Sequence, residues 1–256
     1  MPYAKNGDIN IYYEVEGEGL PLMMLHGFQG SLVDYREAGY VDALKDEYQL
    51  ILVDLRGHGK SDKPHDPQFY TVDQMNSDLI VVLDDLEVPK SNLLGYSAGG
   101  IWCQTLARSA GERVNSLILL DTVPKAYEDT LLMIRQVLES GFEAYAAMIE
   151  QIKPPSEEFK ARLLANDLKA LAADSNSPKG DADITGDLPN MRMPFLVLIG
   201  ENDIAVPPQV ARELYSGVQD ITFIVLPGLD HVTAFFSSDV MLPHIKEFLA
   251  RVSKGI

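Results

Sequence analysis

The sequence holds a single cysteine, Cys103, so no disulfide can form within the chain and no cysteine-rich zinc site is available. It is also short of positive charge. Lys and Arg number 21 against 38 Asp and Glu, a formal net charge of -17 at pH 7. Such a surface repels phosphate backbones and anionic lipid, so neither nucleic acid nor membrane is expected as a partner. A strongly anionic small molecule is disfavoured unless a local basic patch overrides the field. No apolar run approaches the roughly 18 residues of a membrane span. The opening M-P-Y-A-K-N-G-D-I-N lacks the apolar stretch of a secretory signal. A cytoplasmic location is the expectation. No internal repeat and no low-complexity tract is present.

What is present is material for a core. The chain has 256 residues, 46% of them hydrophobic, enough for one large α/β domain or a domain with an insertion. Its most informative stretch is S-N-L-L-G-Y-S-A-G-G at 91–100. Asn92-Leu93-Leu94 fits a buried strand, and Ala98 onward reads as a helix. Between them Gly95-Tyr96-Ser97-Ala98-Gly99 is a G-x-S-x-G, which in a strand-turn-helix is a nucleophile elbow. The turn is so tight that side chains two positions either side of the serine would collide with strand and helix. The bland alternative is a Gly-Ser turn before a helix.

The rest of the chain supplies the context. Residues 9–16 read as an edge strand joined by Gly7-Asp8 to a short strand around Tyr3. Buried strands are expected at Pro21–Leu25, Tyr48–Val53, Asn115–Leu120, Pro194–Ile199 and Thr222–Leu226. Helices are expected from about Asp34 to Lys45, Thr71 to Leu86 with Thr71 as N-cap, Pro208 to Tyr215, and Ser238 to Val252. Buried strands alternating with helices predict a mostly parallel central sheet with helices on both faces. Ligands then bind beyond the carboxyl ends of the strands, where the loops at 26–30, 54–62 and 95–99 gather. The alternation stops between Thr122 and Pro189. Leu131, Ile134, Leu138, Phe142, Tyr145, Ile149 and Ile152 form a helical stripe that Gly141 can divide, and Ser156 opens a second helix to about Ala173. We expect a core of residues 1–121 and 190–256, with 122–189 a helical cap between two strands. Most of the stripe then packs cap on core, and a few of Met133, Phe142, Tyr145 and Met148 line a pocket.

A serine hydroxyl is a weak nucleophile until a base takes its proton, and the base needs a third group to orient it. His231 follows a strand and is the candidate base. Asp203, also just past a strand end, is the candidate orienting acid. Asp121 ends another strand and is the rival, although a turn role accounts for it. The backbone N–H groups of Ala98 and Phe28 are the candidate oxyanion hole. His26 reads as shaping the loop that carries Phe28. His58, His65 and His244 have no partner that the sequence names.

The segments H-G-F-Q-G at 26–30, D-L-R-G-H-G-K-S-D at 54–62, G-Y-S-A-G-G at 95–100, G-E-N-D-I-A-V-P at 200–207 and G-L-D-H at 228–231 occur in an order that resembles the capped α/β-hydrolase superfamily. The resemblance covers nearly the whole chain apart from the cap. It implies Ser97, Asp203 and His231 as the catalytic triad and Phe28 and Ala98 as the oxyanion hole, with no cofactor and no metal. It implies a structural role for 54–62, including Arg56 and His58. Dehalogenases and epoxide hydrolases of this fold carry aspartate at the elbow, so serine here implies acyl chemistry. A small, neutral, partly apolar carboxylic ester or lactone is the expected substrate. C–C bond hydrolysis, perhydrolysis and a receptor role with slow turnover remain alternatives, and oligomeric state is not readable.

Overall fold

A strand-by-strand alternation of apolar side chains builds the framework of this computed structural model, which describes residues 2–125, 128–152, 154–178 and 182–254. The strands are β1 (Tyr3–Asn6), β2 (Ile9–Glu16), β3 (Leu20–Leu25), β4 (Tyr48–Val53), β5 (Ser91–Tyr96), β6 (Val114–Leu120), β7 (Phe195–Gly200) and β8 (Ile221–Leu226). They form one sheet in the order β1-β2-β4-β3-β5-β6-β7-β8. β1 pairs antiparallel with β2, and β2 antiparallel with β4; all other neighbours are parallel. The stretch at 9–16 is therefore not the edge. β1 covers it and takes the edge itself, because the turn at Gly7 (φ 61) folds the first strand back on it.

Period-two side chains divide the interior into two cores. Met23, Leu25, Ile51, Val53, Leu93, Leu117, Leu119 and Val197 face one side. Helices α3 (Val72–Asp85), α4 (Ala98–Ser109) and α9 (Pro208–Leu214) lie there, with Leu79, Leu106 and Ala211 buried against the sheet. Leu22, Met24, Leu50, Leu52, Leu94, Ile118, Leu120 and Leu198 face the other. It is covered by α1 (Val33–Glu37), α2 (Tyr40–Leu44), α10 (His231–Phe236) and α11 (Ser238–Ser253), through Tyr35, Leu44, Phe235 and Ile245. Each fully buried Leu, Ile or Phe contributes about 1.5–3 kcal/mol of transfer free energy, so the sheet is held from both faces.

Between β6 and β7 the described residues hold four further α-helices: α5 (Glu128–Glu139), α6 (Phe142–Gln151), α7 (Glu157–Leu164) and α8 (Leu168–Ser175). Residues 126, 127, 153 and 179–181 of the expected cap lie outside the described residues. The four helices have a small core of their own around Leu138, Tyr145, Ile149, Phe159, Leu163 and Leu171.

Expected helices break where a residue takes a conformation that a helix cannot. The stretch from Asp34 to Lys45 divides at Gly39, which has φ 84. Gly141, at φ 92, separates α5 from α6. The helix opened by Ser156 ends at Leu164, and Asp167 caps a new one through bonds from the Lys169 and Ala170 N–H groups.

The segment at 54–62 acts as internal scaffolding. Asp54 accepts from the Leu32 and Lys60 N–H groups at 2.8 Å each, and Asp62 from the Asn10 N–H at 2.7 Å. Arg56 is fully buried and forms a two-pronged pair with Asp78 at 2.8 and 2.5 Å. Burial raises the Asp78 carboxyl above its ordinary value, against the pull of Arg56. Removing the guanidinium leaves a buried carboxylate without its partner, which costs about 3–5 kcal/mol. Arg56→Met is therefore expected to lower unfolding stability by that amount in urea titration, and Arg56→Met/Asp78→Leu to recover much of it. Equal stability of wild type and single variant would show that this buried pair is not structural.

Candidate active site

The end of β5 runs into α4 through a single residue in a strained conformation. Ser97 has φ 50 and ψ -118, a region that a residue with a Cβ seldom enters. Its neighbours leave no alternative. A Cβ on Gly95 would lie 2.5 Å from the Gly99 carbonyl oxygen, and one on Gly99 would lie 2.2 Å from that of Leu25. Ser97 N–H donates to the Leu120 carbonyl at 2.9 Å, and Thr122 Oγ1 donates to the Ser97 carbonyl at 2.8 Å. The end of β6 and the residues just after it thus anchor both ends of the Ser97 backbone, and the hydroxyl faces a cavity.

The structure brings the three candidate side chains together across widely separated strands. His231 Nε2 lies 3.0 Å from Ser97 Oγ, and His231 Nδ1 lies 2.7 Å from Asp203 Oδ2. A carboxylate only accepts, so Nδ1 carries the proton and Nε2 is left to accept from the serine hydroxyl. The other oxygen of Asp203 accepts from the Ala205 and Val206 N–H groups at 2.8 Å each, which locks the carboxylate in place. Burial opposes a charged His231. The bond and charge of Asp203 outweigh it, with Asp121 and Asp230 adding, and raise the imidazole above its ordinary value. His231 does not lie in an open loop as expected. It is the first residue of α10, where Asp230 accepts from the Thr233 N–H at 2.8 Å while Thr233 Oγ1 accepts from the Asp230 N–H at 2.8 Å. This reciprocal cap fixes the ring's point of attachment.

Phe28 and Ala98 both line the cavity beside Ser97. Among the described residues no group accepts a hydrogen bond from the backbone N–H of either. The loop carrying Phe28 is shaped by His26, as the sequence suggested. The Leu55 N–H donates to His26 Nε2 at 3.0 Å, so Nδ1 holds the proton and donates to the Gly27 carbonyl at 2.8 Å. His65 instead meets Asp167 at 2.9 Å, tying the core surface to the start of α8.

The cavity has a volume of about 350 Å³. Ile101, Trp102, Val206, Val232 and Phe236 line it, together with Leu131, Met133, Ile134, Met148 and Ile152 from the segment between β6 and β7. Of the four cap residues singled out from the sequence, Met133 and Met148 line it. Tyr145 is buried in the small core of α5–α8 and donates to the Leu163 carbonyl at 2.8 Å, while Phe142 is exposed.

Three comparisons bear on what this arrangement is. The sequence profile of the alpha/beta hydrolase fold matches residues 21–153. The chain belongs to the α/β-hydrolase fold family. A putative carbamate hydrolase, RutD, of Azorhizobium caulinodans is 27% identical over 99% of this chain and 100% of its own. Among solved structures, a thermophilic esterase from Thermogutta terrifontis matches with a TM-score of 0.84 and 26% identity over 95% of this chain and 94% of that one. The enol-lactonase of Burkholderia xenovorans LB400 matches with a TM-score of 0.86 over 97% of this chain and 100% of that one, at 21% identity, and so shares the fold. This chain is an enzyme of that family, and no helix among its described residues is long and apolar enough to cross a membrane.

Asp121 is more than a turn residue in this hydrolase. It is fully buried at φ 47, and its Oδ1 accepts from the Gly200 N–H at 2.8 Å. Its Oδ2 is buried with no hydrogen-bond partner, although oxygens of Asp121 and Asp203 and a ring nitrogen of His231 lie within 4.8 Å of one another. Two carboxylates and an imidazole are also a metal-ligand set, but here Asp203 and His231 already satisfy each other. Burial pushes the Asp121 carboxyl well above its ordinary value. His231 and the Gly200 N–H pull it down, and the neighbouring Asp203 pushes it up.

A carboxyl raised on folding stabilises the native state below its unfolded value, near pH 4, and that stability is lost as pH rises through the folded value. Asp121→Asn keeps the shape and does not titrate. Its melting temperature is expected to gain on wild type as pH rises from about 5 toward the raised folded value. A difference that stays constant across that range would show that Asp121 does not titrate abnormally.

Proposed function

We infer that this hydrolase cleaves a small, neutral, partly apolar carboxylic ester or lactone through an acyl-enzyme intermediate. The observation that carries the reading is the relay from Asp203 through His231 to Ser97, with 2.7 Å and 3.0 Å between the reacting atoms. Ser97 Oγ is the nucleophile. Its proton passes to His231 Nε2 as the C–O bond forms, and Asp203 stabilises the imidazolium. The oxygen of the tetrahedral intermediate takes up negative charge beside the free N–H groups of Phe28 and Ala98. Ala98 also begins α4, so the helix dipole favours charge at that point. Collapse expels the alkoxide, which takes the proton from His231. In a lactone the leaving alcohol stays attached to the acyl chain. Water then attacks the acyl-enzyme carbonyl, with His231 as base, and the carboxylic acid departs.

The apolar lining supports the substrate class, since burial of an acyl chain there replaces water on both surfaces. Lys125 and Asp34 are charged residues at the lining, and Asp34 is engaged by Arg162 at 2.8 Å. The esterase and the enol-lactonase that share this fold point the same way.

Ser97→Ala is expected to abolish hydrolysis of p-nitrophenyl acyl esters and simple lactones, by about 10⁶-fold in kcat where a triad acts as a unit, with the fold intact. A fluorophosphonate should label wild type and not the variant. Equal labelling, or a burst followed by arrest in wild type, would overturn the reading. Matched esters bearing a carboxylate on the acyl chain are expected to react more slowly than neutral ones.

Because His231 must be neutral to accept the proton and its value is raised, the acid limb of kcat/KM is expected to lie above the ordinary imidazole value of about 6.5. Asp203→Asn should move that limb down and lower kcat by up to about 10⁴. An unmoved limb would exclude Asp203 as the partner of the base.

A further inference from the structure

The turn that presents the Phe28 N–H contains a second strained residue. Gly30 N–H donates to the Gly27 carbonyl at 3.0 Å, closing a four-residue turn whose third member, Gln29, has φ 69. Positive φ at that position is the habit of glycine or asparagine, and glutamine has no local device to hold it. The peptide joining Gly27 to Phe28 is trans, so its N–H points opposite to its carbonyl. Whatever fixes the Gly27 carbonyl fixes the direction of the Phe28 N–H. His26 Nδ1–H grips that carbonyl from the core, and the Gly30 N–H grips it from within the turn. The second grip lasts only while Gln29 stays in its strained conformation.

The group that holds Gln29 comes from the cap. Asn166, between α7 and α8, donates from Nδ2 to the Gln29 carbonyl at 2.8 Å and to the Leu163 carbonyl at 3.1 Å. Its position is fixed on both sides. Asp167 caps α8 with one oxygen and meets His65 with the other. Arg162, one turn back on α7, donates to Asp34 Oδ1 at 2.8 Å and pairs with Glu37. Asp34 Oδ2 in turn accepts from the Ser31 N–H at 2.9 Å, the residue that follows the turn. A Cβ on Gly30 would lie 2.4 Å from that same oxygen, so the turn is seated directly on the Asp34 carboxylate.

We propose that Asn166 is a positioning residue: through the Gln29 carbonyl it holds the turn that aims the Phe28 N–H, so docking of the cap sets the geometry of the oxyanion hole. This rests on the reading of Phe28 as an oxyanion donor. Cap and core then act together in two ways. The cap lines the acyl cavity, and it also determines whether the core offers one aligned donor or two. Losing one oxyanion donor outright costs about 10²–10³ in kcat, so loosening one costs a part of that.

The test is kinetic. Asn166→Ala is expected to lower kcat on a p-nitrophenyl ester by about tenfold to a hundredfold with KM changed less than about twofold. Affinity for phenylboronic acid, which forms a tetrahedral adduct with the serine, should fall by a similar factor. Asn166→Asp keeps the size and turns an acceptor toward the Gln29 carbonyl, so it should lose at least as much at neutral pH while remaining folded. Adding Gln29→Gly to Asn166→Ala, which lets the turn adopt positive φ unaided, should restore most of the lost kcat. A raised KM with kcat retained would overturn the proposal, because it would make Asn166 a pocket-wall residue only. So would a loss that Gln29→Gly does not relieve. If Ser97→Ala is inactive while both Asn166 variants keep wild-type kcat, the clamp fails and the serine mechanism stands. If Ser97→Ala keeps activity, the parent reading fails first.

Discussion

Everything around the cavity depends on the close approach of α4 to the end of β3. Only a glycine at 99 lets the helix backbone come within contact of the Leu25 and His26 carbonyls. That contact puts Phe28 beside Ser97, since both leave adjacent strands at the same sheet edge. It also sets the strain at Ser97, because the chain must reverse within one residue to enter a helix so close to the sheet. Leu120 at the end of β6 and Thr122 just beyond it anchor the strained residue. The strand order reverses here, with β4 on one side of β3 and β5 on the other, and this is where open α/β sheets leave a crevice.

The chain's large negative charge has little to do with how the site handles its own acids. Asp203 is held by two backbone N–H groups and a histidine, and Asp121 by one backbone N–H, with burial raising its carboxyl above the ordinary value. No lysine or arginine is bonded to either among the described residues. Oriented peptide dipoles do the work that cations do elsewhere in this protein, at Asp78 with Arg56 and at Asp34 with Arg162.

Much of this was legible in the sequence, for identifiable reasons. Buried strands such as Tyr48–Val53 are continuous apolar runs, and the two glycines around Ser97 are spaced as the tight turn requires. Short-range rules failed where one residue's conformation depended on distant packing. Nothing local marks Gly39 as a break, because a glycine inside a helical pattern is usually tolerated. Asp167 begins a helix, but the apolar period runs on through it. His231 reads as a loop residue because α10 has only six residues, although Asp230 and Thr233 carry the spacing of a cap. The bond from Asn166 to Gln29 spans 137 positions, and no pattern of neighbours announces it.

The separation of the site residues bears on how the molecule becomes functional. Ser97 and His231 stand 134 positions apart, and Asp203 is 28 from His231. No supersecondary unit contains two of the three together with the oxyanion turn. Contacts of such long range form late, after the entropy of closing large loops has been overcome. A partly folded chain would hold Ser97 without His231, or His231 without Asp203. On the proposed reading, turnover reports on the complete native state, and a population of intermediates with intact secondary structure would be chemically silent.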